Sequence, residues 1–173
     1  MNFKEYLIFY IRSDIIINML SSIPLDIIPY IQITLSFLLG GILGFQREYT
    51  GKDAGLRTYI LVSVGATLFT ILSKTGFDEF ITDASRYDPS RIASNIVVGI
   101  GFLGAGVIIF KGNRISGLTT AAGLWTSATI GMAIGLERFG LAAFTTFLVF
   151  IIFEVMGKLH SESWIFRKRR GEM

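Results

Sequence analysis

Cysteine is absent from the 173 residues, histidine occurs once, and only 17% of the chain is charged. Without thiols there is no disulfide and no thiolate metal site. His160 alone cannot build an imidazole-based metal or catalytic centre, and its place just beyond the last apolar run suits an interfacial residue. No nucleophile with its base, metal triad or phosphate loop in a suitable context can be assembled, so the chain is not expected to be an enzyme, and no cofactor is assigned to it. A soluble domain averages about 25% charged residues and rarely carries several long uncharged runs. This chain is instead 51% hydrophobic, with 15 Phe, 19 Gly and a mean hydropathy of +0.59. The expected class is an all-α integral membrane protein of about five transmembrane helices, preceded by an amphipathic interfacial helix. The net charge of +3 does not point to nucleic acid, because the cationic residues lie between or after apolar runs, where orientation signals belong.

Residues 1–25 are apolar but interrupted by Lys4, Glu5, Arg12 and Asp14. A mid-bilayer charge costs about 2.5–3.5 kcal/mol on the insertion scale, so this segment is expected to lie along the membrane surface. A transmembrane domain is expected over 26–157, with helices near 27–45, 58–73, 91–110, 117–136 and 139–156. Asp26 is a candidate cap for the first, and Pro29 is harmless in its first turn. In that helix Ser36, Gly40 and Gly44 recur every fourth residue and lead onto Glu48, a stripe that points at a partner helix. The loop 46–57 then gathers Arg47, Glu48, Lys52, Asp53 and Arg57 around two glycines.

Arg91–Phe110 is uncharged after its first residue and rich in glycine. Asn95, Gly99 and Gly106 share one side of a helix, while Ala93, Gly101 and Gly104 fall nearly opposite, which predicts a central position. Gly99, Gly101 and Gly104 also spell the dinucleotide fingerprint, but inside a spanning run, with no carboxylate until Glu137; the required strand, helix and acidic partner are missing. Asp88-Pro89-Ser90 is a good helix start, and Lys111–Arg114 a short basic turn. In the fourth helix Thr119, Gly123, Ser127, Gly131 and Gly135 form a ladder at every fourth position. Their hydroxyls are read as packing groups rather than pore lining. The fifth helix turns bulky after Thr146, which suits a lipid-facing element, and 158–173 is a basic tail. Ten of the 16 Lys and Arg fall on the side that holds loop 46–57, turn 111–114 and the tail, so that side is expected in the cytoplasm, with the tail near anionic lipid.

Three blocks, Gly44–Phe69, Arg91–Phe110 and Gly117–Gly140, make the chain resemble the MgtC/SapB family of membrane proteins. The resemblance implies a multi-pass protein of the bacterial inner membrane, with its C-terminus cytoplasmic, linked to magnesium acquisition or growth at low magnesium. Mg²⁺ is then its expected ligand or substrate. Some relatives resemble regulators of other membrane machines, including ATP synthase, and longer relatives carry a soluble domain after the last helix. The family's polar signature falls on Arg47, Glu48, 54–58 with Arg57 and Thr58, Arg91 and 117–122, which includes Thr119 and Thr120. Gln46 stands where relatives are more often acidic.

Two functions compete. Conduction of Mg²⁺ needs hard oxygen ligands, for which Glu48 and Asp53 are the candidates, with Thr119 and Thr120 as neutral oxygens. Arg47, Lys52 and Arg57 in the same segment oppose it, and no carboxylate lies at mid-depth in the first four helices. The alternative is a noncatalytic regulator whose small-residue faces dock on a second copy or another membrane protein. Arg57 and Glu48 are expected to form a bidentate pair.

Overall fold

The computed structural model describes residues 27–75, 88, 90–112 and 114–156, which form five helices and one short hairpin. The helices are α1 (Ile28–Tyr49), α2 (Leu56–Thr75), α3 (Ser90–Gly106), α4 (Leu118–Gly135) and α5 (Phe139–Ile151), the last continuing into a π-helical turn, Ile152–Met156. Residues 1–25, expected to lie along the membrane surface, most of the connection between α2 and α3, and the tail 158–173 lie outside the described residues. Two helices, α1 and α2, are long and apolar enough to cross a membrane; Ala93–Gly106 and Phe139–Val155 are shorter apolar helices.

Several boundaries differ from expectation for local reasons. The N-cap position of α1 falls on Ile27, without a side-chain cap, rather than on Asp26. The helix also runs past Phe45 to Tyr49, because Gln46, Arg47 and Glu48 are good helix formers and no breaker intervenes before Gly51, whose φ is +64°. The charged residues Arg47 and Glu48 therefore sit on a helix, not in a loop. After α3 ends at Gly106, Ile109–Lys111 pairs antiparallel with Arg114–Ser116, where the sequence had suggested more residues of helix and a bare turn. Gly112 at φ +59° supplies the hairpin's left-handed residue.

The start of α3 agrees with expectation. Asp88 Oδ1 accepts the Ser90 N–H at 3.0 Å and its hydroxyl at 2.6 Å. These bonds hold the Asp88 carboxyl below its ordinary value. A depressed folded-state pKa means that the cap stabilises above the unfolded value and that this contribution is lost as pH falls through the folded one.

The centre of the bundle is α4, which packs against each of the other four helices, and not α3, which leans chiefly on α4 and α2. Val98 and Phe102 of α3 are 72% and 82% exposed. A Cβ built on Gly99, Gly101 or Gly106 meets nothing within 4 Å, and on Gly104 only Ala121, at 3.6 Å. Small residues on two sides permit close approach without requiring it, which is why the glycine pattern misplaced this helix.

The α4 ladder is where close approach happens. A Cβ at Gly131 would collide with the Ser63 carbonyl oxygen of α2, and one at Gly135 would lie 2.6 Å from Thr70 Cβ. The backbones are then near enough for hydroxyls to cross: Thr67 Oγ1 donates to the Gly131 carbonyl at 2.8 Å, and Ser127 Oγ to the Tyr59 carbonyl at 3.1 Å. The stripe on α1 meets α2 in the same way, with Gly40 against Ser63 and Tyr59, and Gly44 against Leu56 and Tyr59. At the far end Gln32 Nε2 donates to the carbonyls of Ile134 at 2.8 Å and Gly135 at 3.0 Å, tying α1 to the last turn of α4, whose end leaves carbonyls short of intrahelical donors. Lys74 and Glu137 form the one ion pair found among the described residues, at that same end.

Candidate functional site

At the opposite end, α1 and α5 finish where α2 and α4 begin. The last turn of α1 turns Arg47 inward. Its side chain is 4% exposed, Nη2 donates to Thr120 Oγ1 at 2.9 Å, and the guanidinium lies 4.6 Å from the centroid of the Phe153 ring. The phenyl face offers a cation–π contact, which is worth more when desolvated. Phe153 also meets Tyr59 edge-to-face, with ring centroids 6.4 Å apart and planes at 85°. Gly123 leaves room for both rings: a Cβ there would collide with the Tyr59 hydroxyl and lie 2.8 Å from Phe153 Cζ. Beside this cluster Gln46 Nε2 donates to Glu154 Oε2 at 3.4 Å.

The centre is incompletely satisfied. Arg47 Nε, the Tyr59 hydroxyl, Gln46 Oε1 and Ser63 Oγ are buried without a hydrogen-bond partner among the described residues. No carboxylate among those residues lies within ion-pair distance of Arg47. Buried polar groups are nearly always paired, and an unpaired buried charge is costly, so this cluster is held against its own electrostatics.

Glu48 points elsewhere. Its Oε2 accepts the Leu56 N–H at 2.8 Å, capping the first turn of α2, and its side chain packs against Gly55. The expected pair with Arg57 is absent; Arg57 is exposed, and the carboxylate is engaged by an amide that the start of α2 would otherwise leave unbonded. Glu48→Ala is accordingly expected to lower stability by about 0.5–2 kcal/mol, the range for a lost N-cap. Arg57→Ala should stay within about 0.5 kcal/mol of wild type. Thermal melts of the purified variants in detergent would separate the two; a larger loss for Arg57→Ala would restore the ion pair.

Of the sequence-derived candidates, the fold unites Arg47 with Thr120 and sets Thr119 beside them. Glu48 and Asp53 belong to the same end, but Asp53 is exposed, and no group of three His, Cys, Asp or Glu side chains suited to a metal forms among the described residues. Thr58 is exposed on the first turn of α2. Arg91 starts α3 at the other end of the bundle, and Asn95 lines an apolar groove of about 480 Å³ between α2 and α3. Sequence reasoning missed Tyr59 and Phe153. Their one signal was indirect: Gly123 in the ladder faces neither a glycine nor a small side chain but two rings.

The profile of the MgtC family matches residues 33–162, which include every residue of this centre. The "Putative magnesium transporter YhiD" of Escherichia coli (strain K12) is 42% identical over 130 residues, 75% of this chain and 60% of that protein. "Protein MgtC" of Brucella abortus (strain 2308) is 46% identical over 117 residues, 68% of this chain and 45% of that protein. "Protein MgtC" of Salmonella typhimurium (strain 14028s / SGSC 2262) is 44% identical over 122 residues, covering 70% and 49%. The chain thus spans about half the length of these curated relatives. No solved structure matches it. With apolar helices of spanning length and this match over most of its residues, the chain belongs to the MgtC family.

Proposed function

We propose that this chain is a multi-pass protein of the bacterial inner membrane that serves magnesium homeostasis as a noncatalytic regulator, docking on another membrane protein rather than conducting Mg²⁺ through its own bundle. The observation that carries this reading is Arg47, a buried cation at one end of the helices. A divalent cation entering there would meet a like charge in a low-dielectric setting, where repulsion is far stronger than in water. The seam between α2 and α4 offers no route beyond it, since Gly131 and Gly135 bring the two backbones together with no space between. Gly99 and Gly106, on one side of α3 and free of neighbours, suit close docking of a further helix.

The name of the Escherichia coli relative favours a second reading, transport of Mg²⁺ itself, with Glu48 and Asp53 as its oxygen ligands. Magnesium uptake into liposomes containing the purified chain, with counter-ion and electrical controls, decides between them. No uptake above empty liposomes is expected; saturable uptake lost in Glu48→Gln would make the chain a transporter.

The positive-inside imbalance supports a cytoplasmic Arg47 end. A cysteine at Lys52 should then escape an impermeant thiol reagent applied to intact cells, while one at Arg138, exposed at the opposite end, reacts. The reverse pattern would invert the topology.

A further inference from the structure

Two helices begin at the Arg47 end, and their first turns are treated differently. The α2 start already holds an anion, the Glu48 carboxylate on the Leu56 N–H. The α4 start holds none. Its N-cap position is Gly117, at φ +88° and without a side-chain cap, and its first intrahelical bond runs from the Ala121 N–H to the Gly117 carbonyl at 2.8 Å. The amides of Leu118, Thr119 and Thr120 precede that bond and have no intrahelical acceptor. Leu118 is 56% exposed and Thr119 is exposed, so this turn is open to the medium.

Free amides at a helix start are common, but here a second feature stands behind them. Arg47 reaches the same turn from α1, donating to Thr120 Oγ1, and its Nε is buried without a partner among the described residues. A buried guanidinium and the positive end of the α4 dipole reinforce each other, and at close range each raises the cost of the other unless negative charge is supplied. Arg114, exposed on the second hairpin strand four residues before Leu118, adds a cation on the solvent side. Two carboxylates of this end are engaged elsewhere, Glu48 with α2 and Glu154 with the Gln46 side of the cluster, and Asp53 is exposed on the connection between α1 and α2.

We propose that the uncapped first turn of α4, backed by the buried guanidinium of Arg47, binds a phosphoryl group. Tetrahedral oxygens suit this set of donors, since one can meet the Leu118–Thr120 amides, a second the Thr119 hydroxyl and a third the Arg114 guanidinium. The position, at the end of the helices, is where lipid headgroup phosphates lie, and it is equally open to a phosphorylated solute. The inference stands apart from the docking reading, and the flux measurement above does not bear on it.

The test uses the full chain in maltoside micelles freed of phospholipid. One arm titrates inorganic phosphate, the other phosphatidylglycerol, and both read the melting temperature, which rises with the logarithm of ligand concentration above its dissociation constant when only the folded state binds. A rise is expected in at least one arm, and it should vanish in Thr119→Glu, whose carboxylate would occupy the same amides. That variant, without ligand, should melt no lower than wild type, which guards against a trivial loss of folding. A response to phosphate identifies a soluble ligand; a response to phosphatidylglycerol alone identifies a headgroup. No rise in either arm, or an equal rise in Thr119→Glu, overturns the site.

Discussion

Gly131→Ala is expected to destabilise the bundle out of proportion to the single methyl group it adds. The new Cβ would collide with the Ser63 carbonyl oxygen, a backbone atom that cannot rotate away, and would push α2 and α4 apart. Overpacking alone costs about 1–3 kcal/mol. Separation would also stretch the Thr67 bond to the Gly131 carbonyl and the Ser127 bond to the Tyr59 carbonyl. Interhelical bonds of this kind are worth roughly 0.6–2 kcal/mol each in membranes. Gly101→Ala is the matched control, because its Cβ meets nothing within 4 Å and alanine is the better helix former by about 0.5–1 kcal/mol. Melting curves of the two variants should move in opposite directions from wild type. If Gly131→Ala melts with wild type, α2 and α4 are not in backbone contact.

Arg47→Met is expected to keep the fold and lose the function. Methionine fills much of the same volume and can lie on the Phe153 ring, and its thioether makes favourable contacts with aromatic rings. Removing the charge relieves a desolvation cost that one hydrogen bond to Thr120 and the Phe153 ring only partly offset, and replacement of buried ionic groups by apolar ones of like size is often neutral or stabilising by about 1–4 kcal/mol. Thr120, left without its donor, can turn its hydroxyl to the Gly117 carbonyl three residues before it. The melting temperature should therefore hold or rise. Growth at limiting magnesium, in a strain that depends on this protein and with membrane levels matched, should fail. Normal growth would make Arg47 a passive remnant, and a strongly lowered melting temperature would mean that the cluster stabilises the bundle through the charge itself.

The legible parts of this chain are those in which one residue type does one job. The α4 ladder was readable because fourfold spacing of Gly and Ser has few uses besides close packing, and the α2–α4 contacts use it. Asp88 was readable because an Asx residue before Pro and Ser has a local hydrogen-bonding role. The glycines of α3 were not: absence of a side chain reveals where a neighbour could come, and the neighbour's choice depends on every other helix. The centre was half legible. Arg47 and Thr120 stood out by their chemistry, but nothing local says that residues 73 apart share a bond. The Glu48–Arg57 pair failed because charge complementarity in sequence ignores the unbonded amide at Leu56, which lies nearer and needs an acceptor. Tyr59 and Phe153, far apart in the chain, meet where α5 loosens into a wider turn.

That turn, Ile152–Met156, has an angular consequence. A π-helical turn takes about one more residue than an α-helical one, so it holds Phe153 against the guanidinium while shifting the azimuth of the chain beyond it. Tightening it into regular α-helix with no residue removed would swing the downstream residues by about 100°, a single residue's rotation in a helix of 3.6 per turn. The azimuth of anything attached beyond Met156 is thus geared to whether Phe153 stays seated on Arg47.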